Sequence, residues 1–212
     1  AQFHADCPDS RHVTIAWDAP QMSHQPGHDA LAGMGFDLDH TDVLTLTYPV
    51  RRANPPAGVT IRSVQTEDDW EQVITCQIET GISEGYNAEL HAPFVRQRFV
   101  NRRLQISEGW GRWLGAFDGD LLVGNLGIFA DDRVARYQDV ETRPSHRRRG
   151  SCAALVTAAA DWVMQVSPSA IPVIIADRDS DAGRIYRRCG FRLTETLVSA
   201  CRPPPGALQK PE

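Results

Sequence analysis

The chain has 212 residues, 42% of them hydrophobic, and a formal net charge of −5. That length suits one large domain or one domain with an appendage, at the usual ~150 residues per domain. The acidic balance argues against a general nucleic-acid binder, whose domain is normally basic, and no apolar run approaches the ~20 residues of a membrane span. The five scattered cysteines (Cys7, Cys76, Cys152, Cys189, Cys201) suit free thiols in a reducing cytoplasm. The seven histidines form no metal-ligand pattern, so no metal is expected.

In chain order, Val13–Asp18 reads as a strand, the segment from Asp29 as a helix ending at Gly35-Phe36, and Val43–Tyr48 as the end of a second strand. Asn54-Pro-Pro-Ala-Gly58 is a linker. Val59–Val64 alternates like a strand, and Thr66 before three acids starts a helix whose Trp70, Val73, Ile74 and Ile78 recur at helical spacing. Gly81–Tyr86 is glycine-flanked and irregular. A second helix spans about 87–106, with Phe94, Val95, Phe99 and Leu104 expected inward. Trp110–Phe117 and Leu121–Ala130 flank Asp118-Gly119 as a hairpin, and Val134–Glu141 is a further strand. A helix over 150–166, a strand over 171–176, a helix over 181–189 and a strand over 191–200 follow. The proline-rich end, 201–212, is expected to be a loose tail.

The most telling stretch runs from Val140 through Pro144 and Arg147-Arg148-Arg149-Gly150-Ser151-Cys152 into an apolar helix. A helix start offers backbone N–H groups without intrahelical partners and partial positive charge, an anion seat suited to pyrophosphate. This stretch resembles the acetyl-coenzyme A loop of the GNAT acyltransferases, V-x-P-x-x-[QR]-x-x-G-x-[GA], with Cys152 where Gly or Ala is usual. Asp181–Phe191 resembles the same family's A-x-x-x-Y-x-x-x-G-F block, and Asp179 stands where many members carry Asn. The resemblance covers roughly 59–200 and implies an α/β (α+β) acyl-CoA N-acyltransferase fold, a mixed, mostly antiparallel central sheet flanked by helices.

The N-terminal segment echoes the C-terminal end: Gly35-Phe36-x-Leu38 matches Gly190-Phe191-x-Leu193, each after a strand and a helix. The expected organisation is a β-α-β appendage at 1–50, a linker at 51–58, the acyltransferase domain at 59–200 and the tail at 201–212. The appendage reads as a remnant of a second acyltransferase unit or as the chance likeness of short β-α-β units. Its core is too small to stand alone. It is expected to pack on the main sheet or on a second copy in a homodimer.

The resemblance implies acetyl-CoA as cosubstrate, its pyrophosphate on the backbone of Arg147, Arg148, Arg149, Gly150, Ser151 and Cys152, and its thioester aligned by the Val140 backbone. It implies Tyr186 as general acid, since a phenol with an ordinary pKa near 10 stays protonated at neutral pH. Glu141 or Asp139, on one face by alternation, is the candidate base, Glu141 being nearer the thioester; ion pairing with Arg136, Arg143 or the arginine run 147–149 is the competing role. The expected activity is acetyl transfer to a primary amine, small-molecule or peptide, by direct attack in a ternary complex. The acceptor wall is expected from Gly81–Tyr86, the second helix and Trp110–Trp113, with Glu84 and Glu89 available to a cation. The alternative is a non-catalytic acyl-CoA sensor or assembly module. A cytoplasmic location, without membrane or nucleic-acid partners, is expected.

Overall fold

The apolar periods of the sequence lay down strand and helix in the predicted order. The computed structural model describes residues 13–16, 26–47 and 49–202; Cys7, the first connection and the tail from 203 lie outside the described residues. The elements are β1 (Val13–Ala16), α1 (Pro26–Gly33), β2 (Asp37–Leu46), β3 (Val59–Ser63), α2 (Glu67–Ser83), α3 (Ala88–Ser107), β4 (Gly111–Asp118), β5 (Leu121–Ala130), β6 (Val134–Thr142), α4 (Ser151–Val166), β7 (Ile171–Asp177), α5 (Asp181–Cys189) and β8 (Phe191–Arg202). β8 thus takes in the first two residues of the expected tail. No helix of the described residues is long and apolar enough to cross a membrane.

The strands form one eight-stranded sheet in the order β1-β8-β2-β7-β6-β5-β4-β3. Every neighbouring pair is antiparallel except β6 with β7, which α4 connects as a parallel crossover. One face is covered by α4 and α5 over Leu44, Leu114, Leu126, Ile128 and Ile174; α2 and α3 cover Trp113, Phe117 and Leu122 on the other.

β2 is more than an attachment to this sheet. It lies between β8 and β7, paired with β8 along Asp37–Leu46 and with β7 along Thr41–Thr45. Leu44 and Leu46 are buried in the main core. Two β-α-β units therefore interlock: β1 and β2 flank β8, while β8 and β7 flank β2, and the order reads alike from either end. Both units turn from helix to strand through a left-handed glycine, Gly35 at φ +78° and Gly190 at φ +109°. The connection after β2 crosses the α4–α5 face to β3 at the far edge. The Arg51 N–H donates to the Cys189 carbonyl at 2.9 Å, and Arg52 pairs with Asp161 at 2.8 Å.

Two local expectations meet different outcomes. Thr66 caps α2 as predicted, in a capping box with Asp69. Phe94 and Leu104 were expected inward on α3 but are exposed. The stripe of α3 that faces the sheet is Val95, Arg98, Phe99 and Arg102, so two arginines occupy helical-period positions that hydrophobicity alone assigns elsewhere.

Asp69 shows how the α2 start is held. Its buried carboxylate takes both arms of Arg62 at 2.7 and 2.8 Å and the Gln65 and Thr66 N–H groups at 3.0 and 3.2 Å. The Arg62 bond, more than compensating for burial, holds its carboxyl well below the usual carboxylate range. A depressed acid stabilises above its unfolded pKa and loses that contribution as pH falls through the folded one. Asp69→Ala is expected to cost about 2–3 kcal/mol at neutral pH. The gap from the wild type should narrow below about pH 4, read by denaturant melts at both pH values.

Candidate active site

β6 and β7 pair only from Val134–Arg136 to Ile171–Val173 and then part. On its other side β6 is bulged: the register with β5 jumps from Gly127–Gln138 to Asn125–Glu141, leaving Asp139 and Val140 paired with neither neighbour. Asp139 adopts φ +48°, a conformation that non-glycine residues hold only under constraint. That constraint comes from α2: the Gln77 amide donates to the Asp139 carbonyl at 2.9 Å and to Asn125 Oδ1 at 3.2 Å. Trp113 Nε1 steadies Asn125 from beneath at 3.1 Å. The parted strands leave an open cleft of about 400 Å³, lined by Arg136–Val140 on one side and by Ile174–Asp177, Ser180 and Tyr186 on the other.

The two candidate bases separate here. Asp139 is ion-paired with Arg98 at 3.4 Å and Arg102 at 3.1 Å, both of α3, not with Arg136, Arg143 or the run 147–149 expected as its competing partners. Glu141 has no hydrogen-bond partner for its carboxylate among the described residues. Burial, reinforced by Glu84 and opposed by Arg147, pushes its carboxyl up to about 7. A carboxylate titrating there can accept a proton near neutral pH.

Tyr186 faces the cleft from α5 and is 3% exposed. Burial, with Cys152 and Glu141 nearby, pushes its phenol up, so it stays neutral. Burial likewise pushes the Cys152 thiol up to about 12 and the Cys189 thiol to about 11, which makes both poor nucleophiles. Ser180 caps α5 through the Gly183 N–H at 3.1 Å, and Arg187, next in chain to Tyr186, pairs with buried Asp42 of β2 at 2.5 Å. The N-terminal segment thus helps to hold the helix that carries Tyr186.

The loop after β6 is pinned by Arg143, which donates to the Leu122 carbonyl at 2.6 Å and pairs with Glu79. Arg147 reaches Glu84 at 3.3 Å and Arg149 the Ser145 carbonyl at 3.2 Å, while Arg148 stands at φ +61°. Gly150 caps α4 at φ +100° and supplies no side-chain hydrogen bond. The first N–H groups of α4, from Ser151 to Ala153, therefore have no side-chain cap, an arrangement that suits an anion. Of the predicted loop residues, Gly150, Ser151 and Cys152 stand at this helix start, while the side chains of Arg147 and Arg149 turn to Glu84 and the Ser145 carbonyl.

The acceptor-side expectations are met unevenly. Gly81–Ser83 is the last turn of α2, so only part of that segment is irregular. Glu84 reaches the cleft, and Tyr86 stacks on His91 at 5.0 Å. Trp113 is 1% exposed and belongs to the core, leaving Trp110 as the exposed member of that pair. The sequence reading missed Gln77, Asn125, Arg98 and Arg102. Only the spacing of the two arginines with Val95 and Phe99 carried a signal.

The Acetyltransferase (GNAT) family model matches residues 78–191, over half the chain. No curated protein matches the chain in sequence. Among solved structures, a conserved protein of unknown function from Staphylococcus epidermidis is 12% identical with TM-score 0.71, covering 96% of this chain and 76% of its own. A GCN5-related N-acetyltransferase from Sphaerobacter thermophilus is 19% identical with TM-score 0.64, covering 95% and 63%. A tandem GNAT protein from the clavulanic acid biosynthesis pathway is 18% identical with TM-score 0.64, covering 93% and 65%. This chain spans less than two thirds of the latter two. At these identities the likeness establishes the fold, and the family follows from the sequence match across the cleft and its loop: the chain belongs to the GNAT acetyltransferase family.

Proposed function

We propose that this protein is an N-acetyltransferase that moves an acetyl group from acetyl-CoA to a primary amine within a ternary complex. The observation that carries this reading is the pair at the parted strands: Tyr186, which lines the cleft and is held neutral, and Glu141, next in β6 to the cleft-lining Val140 and titrating near 7. The α4 start with Arg147–Cys152 suits the pyrophosphate, and the unpaired backbone of Val140 suits the thioester carbonyl. Glu141 takes a proton from the acceptor's ammonium, directly or through water. The Val140 N–H then donates to the carbonyl oxygen as the amine nitrogen bonds to carbon. Tyr186 gives its proton to the sulfur as the C–S bond breaks, and the second proton shed by the nitrogen as it becomes an amide returns to the tyrosine oxygen, directly or through water, restoring the phenol. The dry surroundings that raise the phenol also penalise a thiolate, which favours that transfer. Holding both substrates together supplies much of the remaining rate.

The described cysteines are all unpaired, which supports a reducing, cytoplasmic setting. The interlocked β-α-β units support reading residues 13–46 as the remnant of a second acyltransferase unit. Calorimetric titration of acetyl-CoA tests the seat: saturable one-to-one binding that weakens with salt is expected. Tyr186→Phe is expected to bind equally and to lower turnover by about 10²-fold or more. Binding without turnover on any amine would leave the non-catalytic sensor instead.

A further inference from the structure

Three guanidinium groups share one carboxylate beneath the β6 bulge, and their charge is not balanced. Arg98 and Arg102 of α3 converge on Asp139. Arg136, the last β6 residue paired with β7, faces the same side, because its neighbour Tyr137 turns to α4 and bonds the Val156 carbonyl at 2.8 Å. Arg136 lines the cleft with Asp139, Val140 and Tyr186. Among the described residues it has no hydrogen-bond acceptor. Its Nη1, like Nε of Arg98, is enclosed without a partner. Neither of the other acids lining the cleft redresses the sum: Glu84 is paired with Arg147, and Asp177 stands four residues beyond Val173, the β7 partner of Arg136. A half-buried cation whose nearest counter-charge is already engaged by two other guanidinium groups is costly, and an anion entering the cleft would offset that cost.

We propose that Arg136, backed by Arg98 and Arg102, seats a carboxylate carried by a substrate of this site. The proposal rests on the acyltransfer reading for what the ligand is. Arg136 precedes Val140 on a strand that runs toward the anion seat at α4, so its carboxylate lies beyond the thioester from the pyrophosphate. At ~3.3 Å per residue the two positions are about 10–13 Å apart, and the arginine side chain covers part of that span. The carboxylate therefore sits several bonds from the reacting centre. Two sources fit: an acceptor that is an amino-carboxylate, or an acyl group that ends in a carboxylate.

The test has three arms on wild type and Arg136→Gln. Amines are assayed with acetyl-CoA in matched pairs, each amino acid against its carboxamide. Succinyl-CoA is compared with acetyl-CoA. Glutarate and its neutral diamide are compared for protection against thermal unfolding at fixed ionic strength. In the arm that supplies the carboxylate, wild type is expected to prefer it by about 10- to 100-fold in kcat/KM. In Arg136→Gln that preference should shrink to within about threefold, mainly through KM. Glutarate, unlike its diamide, should protect wild type and not the variant. If the variant fails to fold, wild type alone decides, since the absence of any preference for carboxylate in all three arms overturns the proposal. Turnover without such preference sinks this proposal and leaves the acyltransferase. Protection by glutarate with no turnover on any pair sinks the acyltransferase and leaves an anion site.

Discussion

Removal of residues 1–47 is expected to leave no cooperatively folded protein. β2 is paired along both edges, so its loss exposes the ladders of β7 and β8 together. Unpaired edges of that length invite aggregation. The deletion also removes Leu44 and Leu46 from the core; each such loss alone costs about 2–5 kcal/mol, a large part of a typical domain's stability. Asp42 goes too, freeing Arg187 beside Tyr186. Solubility and a thermal melt of the truncated chain check this. A soluble truncation with a sharp melt near that of the full chain would show that β2 only decorates the sheet.

Glu141→Gln carries the second large effect, a fall in kcat of about 10²–10³-fold. In the proposed reaction the carboxylate form is the base, so wild-type activity should rise with pH through a midpoint near 7. The variant should lose that limb. Stability runs the opposite way. A carboxyl raised from about 4.5 to about 7 by folding favours the protonated native state, so wild type gains stability as pH falls from 7 toward 4.5. The glutamine variant should lack that slope and be more stable than wild type at pH 8, by a margin of the order of 2–3 kcal/mol. Denaturant melts across pH 5–8 separate the two signs. A variant with full kcat and an unchanged pH profile would pass the base role to water.

Much of the molecule was legible in local patterns. Thr66 with three following acids marked a helix start, Asp118-Gly119 a hairpin, and the apolar periods from Val59 onward gave the element order, because each depends on neighbours a few residues apart. The loop from Val140 to Cys152 was legible for the same reason: a glycine that opens a helix and the backbone it exposes are local properties.

Long-range pairing was not legible in this way. Alternation marked β2 as a strand, yet nothing in 37–46 says that it lies between β7 and β8, since a ladder partner more than a hundred residues away leaves no periodic trace. Period-2 counting placed Asp139 and Glu141 alike. The bulge gave them different partners, and it exists because Gln77 and Asn125 reach it from other elements. Hydrophobicity points Phe94 and Leu104 inward because it does not reveal that Arg98 and Arg102 have a half-buried carboxylate to meet. The residue types, the element order and the glycine-opened start of α4 were thus determined by the sequence itself, through short-range sterics and periodicity. The place of β2, the separate fates of two nearby acids and the unbalanced arginines were decided by tertiary structure alone, because burial and charge pairing are set by what folds on top.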